Sequence, residues 1–359
     1  MPSPVCGHTL NLDNLHFTPD ELRSLNELVV TAVLEAPELS LFHTLVTGIK
    51  NDRRIGIIPG TFGLIGKAAQ SCNPTAQCYE NTAIEKTWEP RYLELIIDMC
   101  IDELGDTLQK LATKCGVEVF DLTKTEIFSF ILDILSKDIP KMLLRNAWFG
   151  DKTAANVSGG GVITDGVDVD FFNVINGFWY QIAEIYAADA TKRTAFIGNN
   201  QATTALQKSV ATPILAYANL NLVIDEAIPE LAAQPDRVLL VTQSVSQRVR
   251  RHLQTLGTPY EIKLMLGGLE TSIWDGIKMI SIPLWDQWIA AYENNGTKLN
   301  NPHRVVYTTI SNLNIGMTCT SLFDNINTFY DPRSRINRIE AVDAFDAKII
   351  DDRLIQVGL

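Results

Sequence analysis

The stretch GTFGLIGKA at 60–68 comes nearest to a site for chemistry, because glycines around a lysine can cradle phosphate oxygens with backbone N–H groups. A phosphate-binding P-loop needs four residues between its glycines and a hydroxyl after the lysine to hold magnesium. Here five residues separate Gly60 from Gly66, Thr61 stands at the four-spaced position, and Ala68 follows Lys67. The motif fails twice, and the segment reads as a structural loop. GGGVITDG (159–166) lacks the GxGxxG order and follows no convincing strand, which argues against a dinucleotide turn. The histidines at 8, 16, 43, 252 and 303 stand far apart, and none falls in a paired-ligand spacing. His252, beside Arg250 and Arg251, reads as a solvated or capping residue. No GxSxG nucleophile elbow is present.

Other candidates have plain structural readings. Asp98, Asp102 and Glu103 lie beside an apolar stripe at helical spacing and read as a solvated face. RVRR (248–251) is a short basic cluster that could touch DNA or a neighbouring chain, or simply face water. Trp274, Trp285 and Trp288 could line a pocket, anchor an interface or form the edge of a core. Cys72 and Cys78 flank a turn-like NPTAQ and could pair or bind metal, but no second ligand pair stands at a recognisable spacing. Cys100 reads as a small core residue. The sequence therefore yields no catalytic, metal or cofactor residue.

Composition narrows the class further. The 359 residues are 46% hydrophobic and 20% charged, which suits a packed globular chain of about two domains. With 42 acidic and 30 basic side chains the net charge is −12, so the counterion release that drives nucleic-acid binding is not on offer. The six scattered cysteines do not form a disulfide framework. No apolar run reaches membrane-spanning length, and MPSPVCGHTL has no secretory character, so the expected site of synthesis and folding is a cytoplasm.

The elements that would position these residues follow from periodicity. Thr18 to Glu21 forms a capping box opening a helix that Pro37 stops, after a polar, extended arm. Residues 55–80, with glycines at 56, 60, 63 and 66, predict a long hairpin-like excursion. Leu93, Ile96, Ile97, Cys100, Ile101, Leu104, Leu108 and Leu111 predict a helix ending near Cys115. A second capping box, Thr123 to Glu126, opens another long helix that Pro140 should bend or interrupt. The loop at 151–166 marks a junction between two bodies.

Beyond it, 174–186 predicts a helix, and 203–232 one helix or two, with Pro213 and Pro229 inside. RVLLVTQ (237–243) predicts a buried strand running into a helix with Ser244 and Gln247 as capping box and Gly257 as its stop. Strands are expected at about 260–266, 278–284 and 304–313, and a hairpin in NRIEAVDAFDAKIIDD.

In this order the segments resemble the major capsid proteins of tailed bacteriophages, which share the Hong-Kong-ninety-seven-type fold. EIFSFILDILSKDIPKMLLRNAWFGD (126–151) looks like the family's spine helix, and AIPELAAQPDRVLLVTQSVSQRVRRHLQ (227–254) like its helix, buried strand, helix segment. SIWDGIKMISIPLWD (272–286) is similar to its aspartate/glycine turn and following strand. NIGMTC (314–319) with FYDPRSRINRIEAVDAFDAKII (329–350) looks like its closing strands. The resemblance covers nearly the whole chain and rests on arrangement, since the family has no short invariant motif.

It implies an α+β fold: an amino-terminal arm at 1–54, an extended loop at 55–87, a peripheral domain with spine helix at 88–165 and 314–359, and a mixed α/β axial domain at 166–313. It implies a non-enzymatic chain that forms hexamers and pentamers of an icosahedral virion shell, assembled in a host bacterial cytoplasm. That shell encloses double-stranded DNA without sequence-specific binding, with a separate scaffolding protein, a portal and decoration or auxiliary proteins as partners and no membrane. Gly60, Gly63, Gly66 and Lys67 become inter-subunit loop contacts, and Lys67 stands where some relatives carry a crosslinking lysine. An encapsulin-like nanocompartment shell and a cytoplasmic α/β enzyme with a dispersed site are the rival readings; a nucleic-acid-binding module is disfavoured by the charge.

Overall fold

The computed structural model describes residues 38–51, 53–58, 83–100, 121–123, 126–157, 162–257, 264–266, 269–318 and 326–359. The helix expected from Thr18 and the loop carrying Gly60, Gly63, Gly66 and Lys67 lie outside them, as do Cys72 and Cys78.

Two larger sheets and one hairpin organise the chain. The first sheet holds β1 (Thr44–Thr47), β11 (Leu313–Met317), β13 (Ile336–Ile349) and β12 (Asn327–Asp331) in that order, with β4 (Arg91–Met99) also paired to β13. The second has seven strands in the order β5 (Arg193–Thr194), β14 (Ile355–Gly358), β10 (Val305–Thr309), β6 (Arg237–Thr242), β9 (Ile277–Ile282), β8 (Leu269–Trp274) and β7 (Leu264–Leu266). β2 (Arg54–Ile57) and β3 (Ile84–Thr87) pair antiparallel, the described base of the expected excursion. Helices are α1 (Glu126–Phe149), α2 (Phe178–Ala188), α3 (Pro213–Asp225), the short α4 (Pro229–Ala232), α5 (Gln243–Thr255) and α6 (Pro283–Tyr292).

β6 shows why RVLLVT had to be a strand. Val238 and Leu240 point into the larger hydrophobic core and Leu239 and Val241 into a second one on the opposite face. A strand buried on both faces reads as a continuous apolar run. Prolines at the first turn of α3 and α4 resolve the 203–232 stretch into two helices. Asp275 and Gly276 both take positive φ (48° and 72°) in the two-residue turn joining β8 to β9, the geometry that Asp-Gly favours.

Three expectations fail, and of the bend or interruption expected at Pro140 the interruption is excluded. Residues 91–99 are a strand, not the start of a helix. Leu93 and Met99 are buried with Leu95 and Ile97 half-buried between them, a period of two, while Tyr92, Glu94 and Ile96 face out. Over so short a window the helical stripe and the strand alternation share residues, and the nine-residue pairing with β13 decides. Cys100 is accordingly only partly buried, at the end of that strand. The closing segment is one 14-residue strand and not a hairpin; the turn comes earlier, at 332–335, between β12 and β13.

Pro140 neither stops nor splits α1, which runs unbroken for 24 residues. Its missing N–H strands the Ser136 carbonyl at an exposed position, where water can meet it. Ser244 and Gln247 make no capping box: Thr242 is the N-cap and gives no side-chain bond.

Candidate assembly surface

The first amides of α5 are capped from another helix. Gln243 N donates to Asp286 Oδ2 at 2.6 Å and Ser244 N to Asp286 Oδ1 at 3.1 Å. Ser244 Oγ lies 2.8 Å from His303 Nδ1. Serine, histidine and aspartate thus meet in space, a trio that their scattered positions hid. A hydrolytic triad needs the carboxylate on the imidazole and an accessible serine. Here Asp286 is engaged by the helix N-terminus, and His303 is buried at 1% exposure. Burial drives the His303 pKa down to about 4 and pushes Asp286 up to about 6 against the pull of its two amides. The trio is a buried clasp that fastens α5 to α6 and to the segment before β10.

A second polar centre is also internal. Arg304 and Glu293 form an ion pair at 3% and 8% exposure, and the guanidinium lies 4.8 Å from the Trp179 ring centroid and 5.6 Å from that of Phe149. A cavity of about 230 Å³ beside them is lined by Trp179, Tyr180 and Tyr186. Its buried cation, Arg304, is already paired with Glu293. Among the described residues no group of three or more His, Cys, Asp or Glu side chains could hold a metal ion.

The tryptophans resolve into core. Trp285 and Trp288 belong to α6 and to the larger core, where Trp148 meets Trp285 at 4.4 Å and Trp179 meets it at 5.0 Å. Trp274 belongs to the second core. The basic run is mostly occupied: Arg248 donates to Ser209 Oγ at 2.6 Å and Arg250 pairs with Glu270 at 3.2 Å. His252 lies against Tyr217, centroids 4.9 Å apart. Asp98, expected on a helix face, instead binds Arg338 with both oxygens (2.6 and 2.7 Å) across the β4–β13 ladder and raises the Arg338 pKa. Asp102 and Glu103 lie outside the described residues.

What remains is the exposed surface. Among the described residues the nine-residue β4 pairs with β13 alone. On the outward face of that ladder Tyr92 (79% exposed), Ile96 and Val342 are exposed. A groove of about 810 Å³ runs between β4 and α1, past Met142, Phe171 and Trp288. At the base of the β2–β3 hairpin Ile58 and Ile84 are exposed, while Lys86 ties β3 to the body by donating to the Ile349 carbonyl at 2.8 Å and pairing with Asp352. On the seven-stranded sheet and its helices Ile197, Ile214, Leu222 and Ile273 are exposed. Apolar side chains exposed near one another, as at Tyr92, Ile96 and Val342, are candidate contacts for another protein.

No family model and no curated protein matches the sequence. Solved structures match across almost the whole chain. The capsid of a native GTA particle is 10% identical over 92% of this chain and 92% of its own, with a TM-score of 0.54. A chain of Gordonia phage Cozz is 9% identical over 92% and 88%, at 0.52, and one of Mycobacterium phage Ogopogo is 11% identical over 92% and 94%, also at 0.52. Identities this low speak to fold alone. The chain has the tailed-phage capsid fold.

Proposed function

We propose that this chain is a shell-forming subunit, the major capsid protein of a tailed phage, that self-associates into hexamers and pentamers around double-stranded DNA. The carrying observation is the match of fold end to end with a capsid, over 92% of both chains. The exposed apolar faces and the paired base of a long hairpin fit that reading, because contacts repeated by closed symmetry let modest interfaces sum to a stable shell. The negative charge suits a container that must not grip its contents.

On this reading residues 1–54 form an arm whose last part enters the body as β1, 55–87 the extended loop with Gly60, Gly63, Gly66 and Lys67 reaching a neighbour, and 88–165 with 314–359 the peripheral domain. Residues 166–313 form the axial domain, with β14 completing its sheet. The chain performs no catalysis, and works with a separate scaffolding protein, a portal and decoration proteins in the virion.

The test is particle size. Recombinant protein, purified and examined by negative-stain microscopy with light scattering, should give closed shells or five- and six-fold rings. A species that stays monomeric or dimeric, even with crowding agents or a scaffolding partner, would overturn the reading. Nuclease-protected DNA in particles from the native host distinguishes a genome container from an enzyme-loaded compartment.

A further inference from the structure

Helix α3 presents an apolar face that stands exposed among the described residues. Ile214, Ala218 and Leu222 recur every four residues and are all exposed, Ile214 at 59%. Ile197 stands beside them, its carbonyl accepting from Asn219 Nδ2 at 3.2 Å and its side chain exposed. The small Ala218 between the two larger side chains leaves a shallow notch in the stripe. The stripe ends at Asp225, the last helical residue, and Glu226, the C-cap, with no basic residue in the last turn. A helix C-terminus already carries about half a negative charge, so two carboxylates there are badly placed unless a cation arrives from elsewhere. Neither forms an ion pair among the described residues; Glu226 accepts only a hydroxyl, that of Thr194 at 2.5 Å.

The other end of the same sheet carries a counterpart. Ile273 on β8 and Lys278 on β9 are direct cross-strand neighbours, so they share one face. Ile273 is 53% exposed, and the Lys278 ammonium has neither a hydrogen bond nor an ion pair among the described residues. α3 packs over Leu239 and Val241, whereas Lys278 shares the face of Val238 and Ile280. Trp274, next to Ile273 in β8, does reach α3, its indole N–H donating to Asn221 Oδ1 at 3.2 Å, but from the other face of the strand. An apolar patch with bare carboxylates and an apolar patch with a bare ammonium therefore lie on opposite faces of one sheet, which keeps them apart within one copy. A head-to-tail contact between copies would join them, and such contacts build rings where the rotation closes.

We propose that a second copy of this chain covers the α3 stripe, inserting its Ile273 and Lys278 against Ile197, Ile214 and Leu222, with Lys278 neutralising Asp225 and Glu226. This rests on the shell-forming reading and names the contact that closes its rings.

Charge reversal tests it from both sides. Asp225→Lys with Glu226→Gln on one side, and Lys278→Glu on the other, change exposed or half-exposed charges while the glutamine amide oxygen still accepts the buried Thr194 hydroxyl, so each variant should keep the wild-type circular dichroism and melting profile. Each alone should lower the yield of rings and shells at least tenfold by sedimentation and microscopy, and combining all three should restore it. Assembly of either one-sided variant at the wild-type level overturns the proposal, as does failure of the triple variant to recover while it remains folded. A wild-type chain that never forms rings removes the shell-forming reading and this contact together, whereas a shell-forming wild type with indifferent variants removes the contact alone.

Discussion

His43 offers the sharpest test of how the segment before β1 is held. Its ring is 2% exposed and stacks on Phe178 at 5.5 Å, with planes 10° apart. Nδ1 lies 3.1 Å from the Leu39 carbonyl, which can only accept, so Nδ1 carries the proton. Nε2 is then the acceptor for the Trp148 indole N–H at 2.9 Å. Burial drives the His43 pKa down to about 3, so the ring stays neutral well below physiological pH. His43→Phe keeps the stack and most of the volume but leaves the Trp148 N–H without an acceptor. A buried donor so stranded costs about 1–3 kcal/mol, and we take about 2 kcal/mol at pH 7.

The same substitution has a second effect of opposite sign in acid. A folded-state pKa below the unfolded value of 6.5 means that the unfolded chain takes up a proton that the native ring refuses. From pH 6.5 down to 5 wild type loses about 2 kcal/mol through His43, at about 1.4 kcal/mol per pH unit. His303, lowered to about 4, adds a loss of the same sign, while Asp286, raised to about 6, returns part of it. Phenylalanine removes the His43 contribution alone. The variant should therefore melt roughly 4 °C below wild type at pH 7, taking about 2 °C per kcal/mol, and close to wild type at pH 5. Fluorescence-detected melting of the unassembled protein at both pH values reads this directly. A gap that is as wide at pH 5 as at pH 7 would refute the neutral, doubly bonded ring; no gap at pH 7 would refute the cost assigned to the stranded indole.

Three further outcomes are expected. Asp286→Ala strips two amides of their cap and should cost about 1–2 kcal/mol, with Asp286→Ser, which keeps one acceptor, recovering part of it in urea titrations. Glu293→Gln leaves the buried Arg304 uncompensated and should cost about 3–5 kcal/mol, whereas Asp98→Asn, whose partner Arg338 is on the surface, should cost far less in the same titrations. Residues 166–313 expressed alone would lack β14, which sits between β5 and β10, and should show exchange-labile amides in β5 and β10; protection there equal to that of the full chain would contradict the sheet order.

Legibility in the sequence tracks how local each determinant is. The buried run of β6, the proline-started α3 and the Asp275–Gly276 turn are set by a few adjacent residues, and all are readable. β4 passes for a helix because Leu93, Ile96, Ile97 and Cys100 satisfy a helical period, and only a strand some 240 positions away tips the balance. The cap on α5 is hidden for a related reason: Ser244 is the type of residue that caps, but Asp286, 43 residues on from Gln243, reaches the amide first. His43 sends no signal because its local partner is a backbone carbonyl, which no side-chain pattern marks, and its other partner is the Trp148 indole, which only the fold brings near. The exposed faces are the least visible, since Leu222 and Ile273 look like core residues until the packing leaves them out.

That last point separates two kinds of apolar residue in this chain. The larger core is continuous from α1 (Leu144, Trp148) through β13 (Ala341, Phe345) to the seven-stranded sheet (Leu240, Val306), so both sheets lean on one set of contacts. Ile197, Ile214, Leu222 and Ile273 contribute nothing to that core, and their exposure carries a solubility cost with no return to the isolated chain. Such residues are worth keeping only where something covers them. Substitutions in the core should thus move melting and leave surviving particles unchanged in form, while substitutions on these faces should leave melting alone and abolish particles.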